Sequence, residues 1–428
     1  MKKGFITGLL SGLLMGVFFF CAVSCGKMLT SGQEAQEQPE GTPQSGVAQQ
    51  QETQQPATSG NKNNNGYVLD DSSVERKLED IEDIIKDLYI DDVTEDQLAE
   101  GLFDGIMESL GDPYSVYYTP EEFAELLSDT EGVYYGIGAY LQMDLLYGYP
   151  KITGIIANSP AEASTLRVDD YITMVDGVDI IGMELSEAVK LIKGPEGTDV
   201  TLTIIRQSDG TEFEEILTRQ KVETPTVTYE MKEDGIGLIS ISQFDEVTVN
   251  QFAEALAAVK EEHAKALVLD LRGNPGGSLQ AVVDIAGMLL PEGNVVYTVD
   301  KYGYRQDYPS QGNQELDIPM VVLVNGGSAS AAEILAGAIK DYGKGTLLGT
   351  TTYGKGIVQR LVQLKDGSGI KLTVSHYYTP LGNDIHKVGI EPDEVLAFDG
   401  EAYYTADPAD SVDNQLERAI EILKEEIK

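Results

Sequence analysis

The stretch Pro319-Met-Val-Val-Leu-Val-Asn-Gly-Gly-Ser-Ala-Ser330-Ala-Ala-Glu-Ile-Leu-Ala-Gly-Ala-Ile339 constrains this chain more than any other. An apolar run of strand length, Met320–Val324, gives way to Asn325-Gly326-Gly327 and then to small residues with Ile334, Leu335 and Ala338 at helical spacing. Strand, tight turn and helix are the expected order. The junction puts Ser330 at or beside a helix N-terminus, where unpaired amides and the positive end of the helix dipole favour negative charge. Two uses fit that position. Ser330 and Glu333 have the spacing of a capping box, in which the serine only closes the helix. A serine that attacks a carbonyl needs the same placement.

Residues 224–399 repeat the alternation. Ile236–Ile241 reads as a strand, Phe252, Leu256 and Val259 mark a helix, and residues 266–271 form a continuous apolar strand of the kind buried on both faces. An α/β core follows, closed by an amphipathic helix carrying Val412, Leu416, Ile420, Leu423 and Ile427. At 428 residues the chain has room for about three domains. The boundaries expected are 1–30, a signal sequence or anchor; 31–66, a linker; 67–130, a helical region; 131–222, a β-rich block; and 223–428, the core.

At the start, Lys2-Lys3 precede an uncharged apolar run over residues 4–24, the pattern of an export signal that is also long enough to span a bilayer. Both cysteines, Cys21 and Cys25, stand at its end, and residues 22–26 resemble a bacterial lipoprotein cleavage box with Ala22 where Leu is usual. An uncleaved helix, a lipid on Cys25 and a freely secreted form stay open. In each case the body is expected outside the cytoplasm, and without further cysteines it forms no disulfide. Residues 31–66 hold almost nothing apolar and are expected to be a flexible tether. The net charge of −41 resides on the body, since residues 1–66 hold four basic and four acidic residues; such a field repels nucleic acid and anionic membrane surfaces.

In the helical region, Val74, Leu78, Ile81, Ile85 and Leu88 mark one helix. Thr94-Glu-Asp-Gln97 opens a second, and Thr119-Pro-Glu-Glu122 a third. No catalytic constellation is visible here, so packing or self-association is the expected role. In residues 131–222, short β-type runs surround one helix bearing Leu185, Ala188, Val189 and Ile192. Gly136-Ile137-Gly138 opens the first run. It is a plain turn or a place where consecutive amides converge on a carboxylate beside a strand edge that can accept a peptide. The block resembles a PDZ domain on the spacing of that loop, the Asn158-Ser-Pro-Ala-Glu162 turn, Asp176-Gly177 and Lys193-Gly194. Ser164-Thr165 replace the usual Ala-Gly, and Asp169 the usual Gly; wherever φ must be positive, Asp bears it better than Thr.

A serine nucleophile needs a base. His263, His376 and His386 stand in surface-like or structural contexts, whereas Thr351-Thr-Tyr-Gly-Lys355-Gly-Ile-Val-Gln359 isolates a lysine between glycines. Its pKa must fall from about 10.4 to about 7, a cost of about 4 kcal/mol that burial without an acidic partner supplies. An amide such as Gln359 can orient the amine without recharging it. Lys355 and Gln359 lie about 13 Å apart if fully extended, so a bend is required. Arg272-Gly-Asn-Pro-Gly276-Gly277-Ser278 follows a buried strand, lacks the Gly-Lys-Ser/Thr of a phosphate loop, and can offer bare amides to an oxyanion.

Four ordered motifs, Leu271-Arg-Gly-Asn-Pro-Gly-Gly277, Gly327-Ser-Ala-Ser330-Ala-Ala-Glu333, Gly354-Lys355-Gly-Ile-Val-Gln359 and Tyr378-Thr-Pro-Leu-Gly382, together resemble the carboxyl-terminal processing peptidases, also called tail-specific proteases of the S41 type. The resemblance covers about 67–428, including Asp112-Pro-Tyr-Ser115. It implies a ClpP/crotonase-like α/β peptidase core with an inserted PDZ domain and an N-terminal helical region. It further implies Ser330 as nucleophile, Lys355 as general base, Gln359 as the group positioning it, and the amides of Gly276 and Ala331 as the oxyanion hole. Gly136, Ile137 and Gly138 would bind substrate. Ala332 stands where many members carry a second Ser. The expected partners are proteins or peptides with apolar C-termini, with no metal, cofactor or nucleic acid, tethering to a membrane through the N-terminus, and a homodimer suggested by the family. A non-catalytic receptor of the same fold is the alternative.

Overall fold

The computed structural model describes residues 72–312, 316–405 and 411–428. The expected signal sequence or anchor and the tether, with both cysteines, lie outside the described residues, and no described helix is long and apolar enough to cross a membrane.

Strands Ala266–Asp270 and Met320–Val324 stand side by side in the middle of a six-stranded sheet. Its order is Val227–Lys232, Ile236–Ile241, Ala266–Asp270, Met320–Val324, Thr346–Gly349 and Glu394–Val395, and only the first strand runs antiparallel to its neighbour. Side chains alternate across the pleat. Leu267, Leu269, Val322 and Val324 join the core under helices Glu246–Glu261, Leu279–Leu289 and Ala331–Tyr342. Ala266, Val268, Val321 and Leu323 pack with Ala419 and Leu423 of the closing helix Asn414–Glu426. Burial on both faces is why these strands read as continuous apolar runs. The closing helix starts later than its apolar pattern suggests, because the Asp413 side chain caps the amides of Gln415 and Leu416 and leaves Val412 outside.

A second, antiparallel sheet orders Val116–Tyr118, Gly369–Tyr378, Gly293–Asp300 and Arg305–Ser310, with Ile357–Gln363 also pairing with Gly369–Tyr378. The helical region therefore does more than pack beside the core: its residues 116–118 are a strand of the core's sheet. Three residues are too few to show a period of two. The helices start as their caps predict. Thr94 and Thr119 each accept the N3 amide, from Gln97 and Glu122, and those side chains accept the cap amides in return. Phe123 of helix Pro120–Glu131 is 2% exposed and packs closely on Gly369, where a Cβ would fall 2.2 Å from the ring.

The inserted block forms its own core around Ile152, Ile172, Val200, Leu202 and Ile204. Its sheet runs Ala139–Asp144, Tyr149–Ile155, Tyr171–Val175, Asp199–Ile205, Glu212–Thr218, so Ala139–Asp144 is an edge, with helix Leu185–Ile192 beside it. The chain enters and leaves through a ribbon pairing Val133–Gly136 with Gln220–Glu223. Of the two unusual positions, Asp169 takes the left-handed conformation, at φ 74°, and Thr165 does not.

Phe123→Ala is expected to cost about 3 kcal/mol, because it empties the contact that seats the helical region on the sheet. Chemical denaturation monitored by far-UV circular dichroism measures it.

Candidate active site

Helix Ala331–Tyr342 begins directly after Ser330, whose backbone sits at φ 53° and ψ −115°, a conformation non-glycine residues rarely adopt. Ser330 is fully buried, and its hydroxyl finds no hydrogen-bond partner. The capping-box geometry is thus half used. The Ser330 amide donates to Glu333 Oε2 at 2.9 Å, while the serine oxygen is left out. A buried, unpartnered hydroxyl on a strained turn is costly to keep, which marks a site rather than a cap.

Lys355 is 4% exposed. Burial, reinforced by the charge of neighbouring Lys371, pushes its amine down to about 7, against the opposing pull of Glu333 and Asp112. Its amine also lies 4.7 Å from the centre of the Tyr114 ring. Gln359 is buried, donates from Nε2 to Thr373 Oγ1 at 3.3 Å, and keeps Oε1 without a partner. The bend that Lys355 and Gln359 require has two sources. The strand starts only at Ile357, and its pairing register slips between Val358 and Gln359.

Two groups bind these segments together: Glu333, expected only as a capping partner, and Tyr377, to which the sequence assigned no role. The Glu333 carboxylate, fully buried, accepts hydrogen bonds from the Ser330 amide, from Thr352 Oγ1 at 2.6 Å, from the Gly354 amide at 2.7 Å and from the Lys355 amide at 2.8 Å. Burial raises its pKa and those four donors oppose the rise. On the other side, the buried Tyr377 hydroxyl reaches both the Ser330 carbonyl, at 3.0 Å, and the Lys355 carbonyl. The candidate nucleophile and candidate base are therefore held to one another through the amide and the carbonyl of each residue.

The Gly276 loop closes against the serine. A Cβ on Gly276, at φ 105°, would fall 2.7 Å from Ser330 Cβ and 2.9 Å from the Ala331 nitrogen, so only glycine permits the approach. Phe244 clamps this loop, its amide donating to the Gly276 carbonyl at 2.9 Å and its carbonyl accepting from Ser278. The Gly276 amide itself donates to Asn274 Oδ1 at 2.8 Å, so using it for an oxyanion requires that bond to be exchanged. Asn274 is fully buried and also donates to the Ile241 carbonyl. Gly136, Ile137 and Gly138 lie in the inserted domain, apart from this cluster. Ile137 is buried, Gly138 has φ 80°, and their carbonyls accept from Ala161 and Ile156. His376 and His386 meet edge to face at 5.3 Å, and His263 ends a helix at φ 61°.

Glu333→Gln keeps the shape but turns an NH2 toward amide donors. It is expected to cost about 2 kcal/mol of stability and to cut kcat about 100-fold by displacing the two segments. Denaturant titration and single-turnover peptide cleavage measure the two effects.

The family model for peptidase family S41 matches residues 235–396, that for a PDZ domain residues 151–206, and that for the activating protease CtpB N-terminal domain residues 23–122. A carboxyl-terminal-processing protease of Synechocystis sp. is 41% identical over 297 residues, 68% of this chain and 69% of that protein. One from Picosynechococcus sp. is 34% identical over 336 residues, 78% of this chain and 80% of that protein. The solved structure of a photosystem II D1 C-terminal processing protease aligns with 81% of this chain and 90% of its own at 30% identity and a TM-score of 0.46. With that extent of identity behind the strained serine and its buried neighbours, the chain belongs to the carboxyl-terminal-processing serine proteases of peptidase family S41.

Proposed function

We propose that this protease works outside the cytoplasm, tethered to the membrane by its N-terminal segment, and cleaves unfolded proteins that its PDZ domain captures by an apolar C-terminus. The observation that supports the chemical part is that Ser330, whose buried Oγ has no hydrogen-bond partner, is clasped through Glu333 and Tyr377 to the buried Lys355, with Gln359 Oε1 likewise unpartnered on the strand that follows. Lys355 as the neutral amine takes the Ser330 proton while Oγ bonds to the scissile carbonyl carbon. The oxygen of the tetrahedral adduct is stabilised by the Ala331 amide and by Gly276 once Asn274 gives it up. In this reading Gln359 Oε1, which has no other partner, accepts from the ammonium as it forms. Collapse breaks the C–N bond, the lysine returns its proton to the leaving nitrogen, and water then hydrolyses the acyl-enzyme by the same route in reverse.

For capture, the open edge of strand Ala139–Asp144 and the neighbouring helix Leu185–Ile192 suit strand addition of a peptide. With the Ile137 and Gly138 carbonyls engaged inward, amides of this loop are the groups left for a terminal carboxylate. Self-association through the leader belongs to the same proposal, supported by Ile81, Ile84, Leu88 and Ile90, all exposed.

The test is intact-mass analysis of an unfolded substrate bearing an apolar tail, incubated with the full chain and with its Ser330→Ala form. Cleavage by the parent alone, suppressed when the tail is amidated, is the expected result; undiminished cleavage by Ser330→Ala removes the nucleophile assignment. A second expectation concerns pH. Only neutral Lys355 can accept a proton, so kcat/KM should rise with pH along an acid limb centred at about 7 and fall away below it as the ammonium forms. A pH profile without that limb excludes lysine as the base.

A further inference from the structure

We propose that Tyr114, a residue of the helical region some 240 positions from the base, is a positioning residue for the Lys355 amine: its ring covers the amine and offers it a π face, and its hydroxyl fastens that cover to the lysine's own loop. This rests on Lys355 being the general base. The geometry is specific. The amine stands 4.7 Å from the ring centre, and Tyr114 Oη lies 3.2 Å from Oη of Tyr353, two residues before the lysine.

Tyr114 is itself held from below. Its amide donates to Asp112 Oδ1 at 3.1 Å, Ser115 Oγ donates to Asp112 Oδ2 at 2.6 Å, and Ser115 Oγ accepts the Thr373 amide at 3.1 Å. Thr373 Oγ1 is the acceptor for Gln359 Nε2. Strand Val116–Tyr118 then pairs with residues 369–371. One short segment thus reaches Lys355 through Tyr114 and Gln359 through Thr373.

A general-base lysine needs an environment that disfavours the ammonium at rest yet tolerates it when the serine proton arrives. A carboxylate partner would hold it permanently charged, and a purely apolar cover would resist charging altogether. An aromatic face removes water and still attracts the cation by its quadrupole. Charged groups acting on the amine include Glu333 on its helix, Asp112 beside Tyr114 and Lys371 on strand Gly369–Tyr378, while Tyr353 meets the Tyr114 hydroxyl and Tyr377 the Lys355 carbonyl. Exposure of the amine to water is the change that removing the ring brings, and it pulls the lysine back toward its ordinary value.

The experiment titrates Lys355 directly. In the full chain carrying Ser330→Ala, competitive acetylation across pH, read on the Lys355 peptide by mass spectrometry, gives the midpoint of the amine without any turnover. Tyr114→Ala is expected to raise that midpoint by roughly one pH unit, while Tyr114→Phe leaves it in place. With Ser330 restored, Tyr114→Ala should lower kcat about tenfold, with KM changed less than about twofold, as expected of a group acting only through the base. Should the alanine form fail to fold, Tyr114→Leu keeps the bulk without the ring and is expected to lose kcat alone. An unmoved midpoint in Tyr114→Ala, full kcat in Tyr114→Leu, or equal damage from Phe and Ala would each overturn the role. Because the titration needs no cleavage, a parent protein that cleaves nothing would defeat the proposed function and leave this question separately answered.

Discussion

Everything at this site depends on one double clasp. The Glu333 carboxylate gathers the Ser330 and Lys355 amides, and the Tyr377 hydroxyl gathers their carbonyls. A carboxylate taken out of water is expensive unless its lone pairs are filled, and four donors fill them here. The strain of Ser330 at φ 53° persists because its peptide is pinned from both sides and cannot relax toward an ordinary helix start. The clasp also explains how two segments that never share a strand pair keep a fixed distance. They are joined through groups that do no bond-making themselves.

The same economy governs the polar atoms around the serine. Asn274 spends both ends of its amide on the loop, one on Ile241 and one on Gly276, so the loop's shape is set before any substrate arrives. Among the described residues, Ser330 Oγ and Gln359 Oε1 are two of five buried side-chain atoms left without a partner, the others being Asp245 Oδ2, Asn294 Nδ2 and His386 Nδ1. An unpaired hydroxyl on a strained turn is kept at a cost to stability, the kind of local conflict expected at a functional site.

Much of this was legible in the chain. The buried strands, the capped helices of the leader, and Ser330, Lys355 and Gln359 all follow from apolar runs, cap spacings and motif order. Glu333 was visible only as a capping partner, because three of its four donors come from residues 352–355, and no local pattern reports a contact across that gap. Tyr377 lay within an ordinary strand sequence. The strand Val116–Tyr118 is too short for periodicity to reveal, so the leader read as a packing element although it borders the lysine. The Asn274 bond to Gly276 depends on a side-chain rotamer, which a glycine-rich motif does not encode.

The pairing of Val116 with Lys371 joins residues 255 positions apart in the chain. Contacts so distant in sequence are among the last a growing polypeptide can make. During synthesis strand Val116–Tyr118 emerges early and must wait for residues 369–371, so a nascent chain that already carries Ser330 lacks the pairing that seats Tyr114 beside Lys355. The topology thus orders assembly: the surroundings of Lys355 close only after the segment carrying Ser330 has been made.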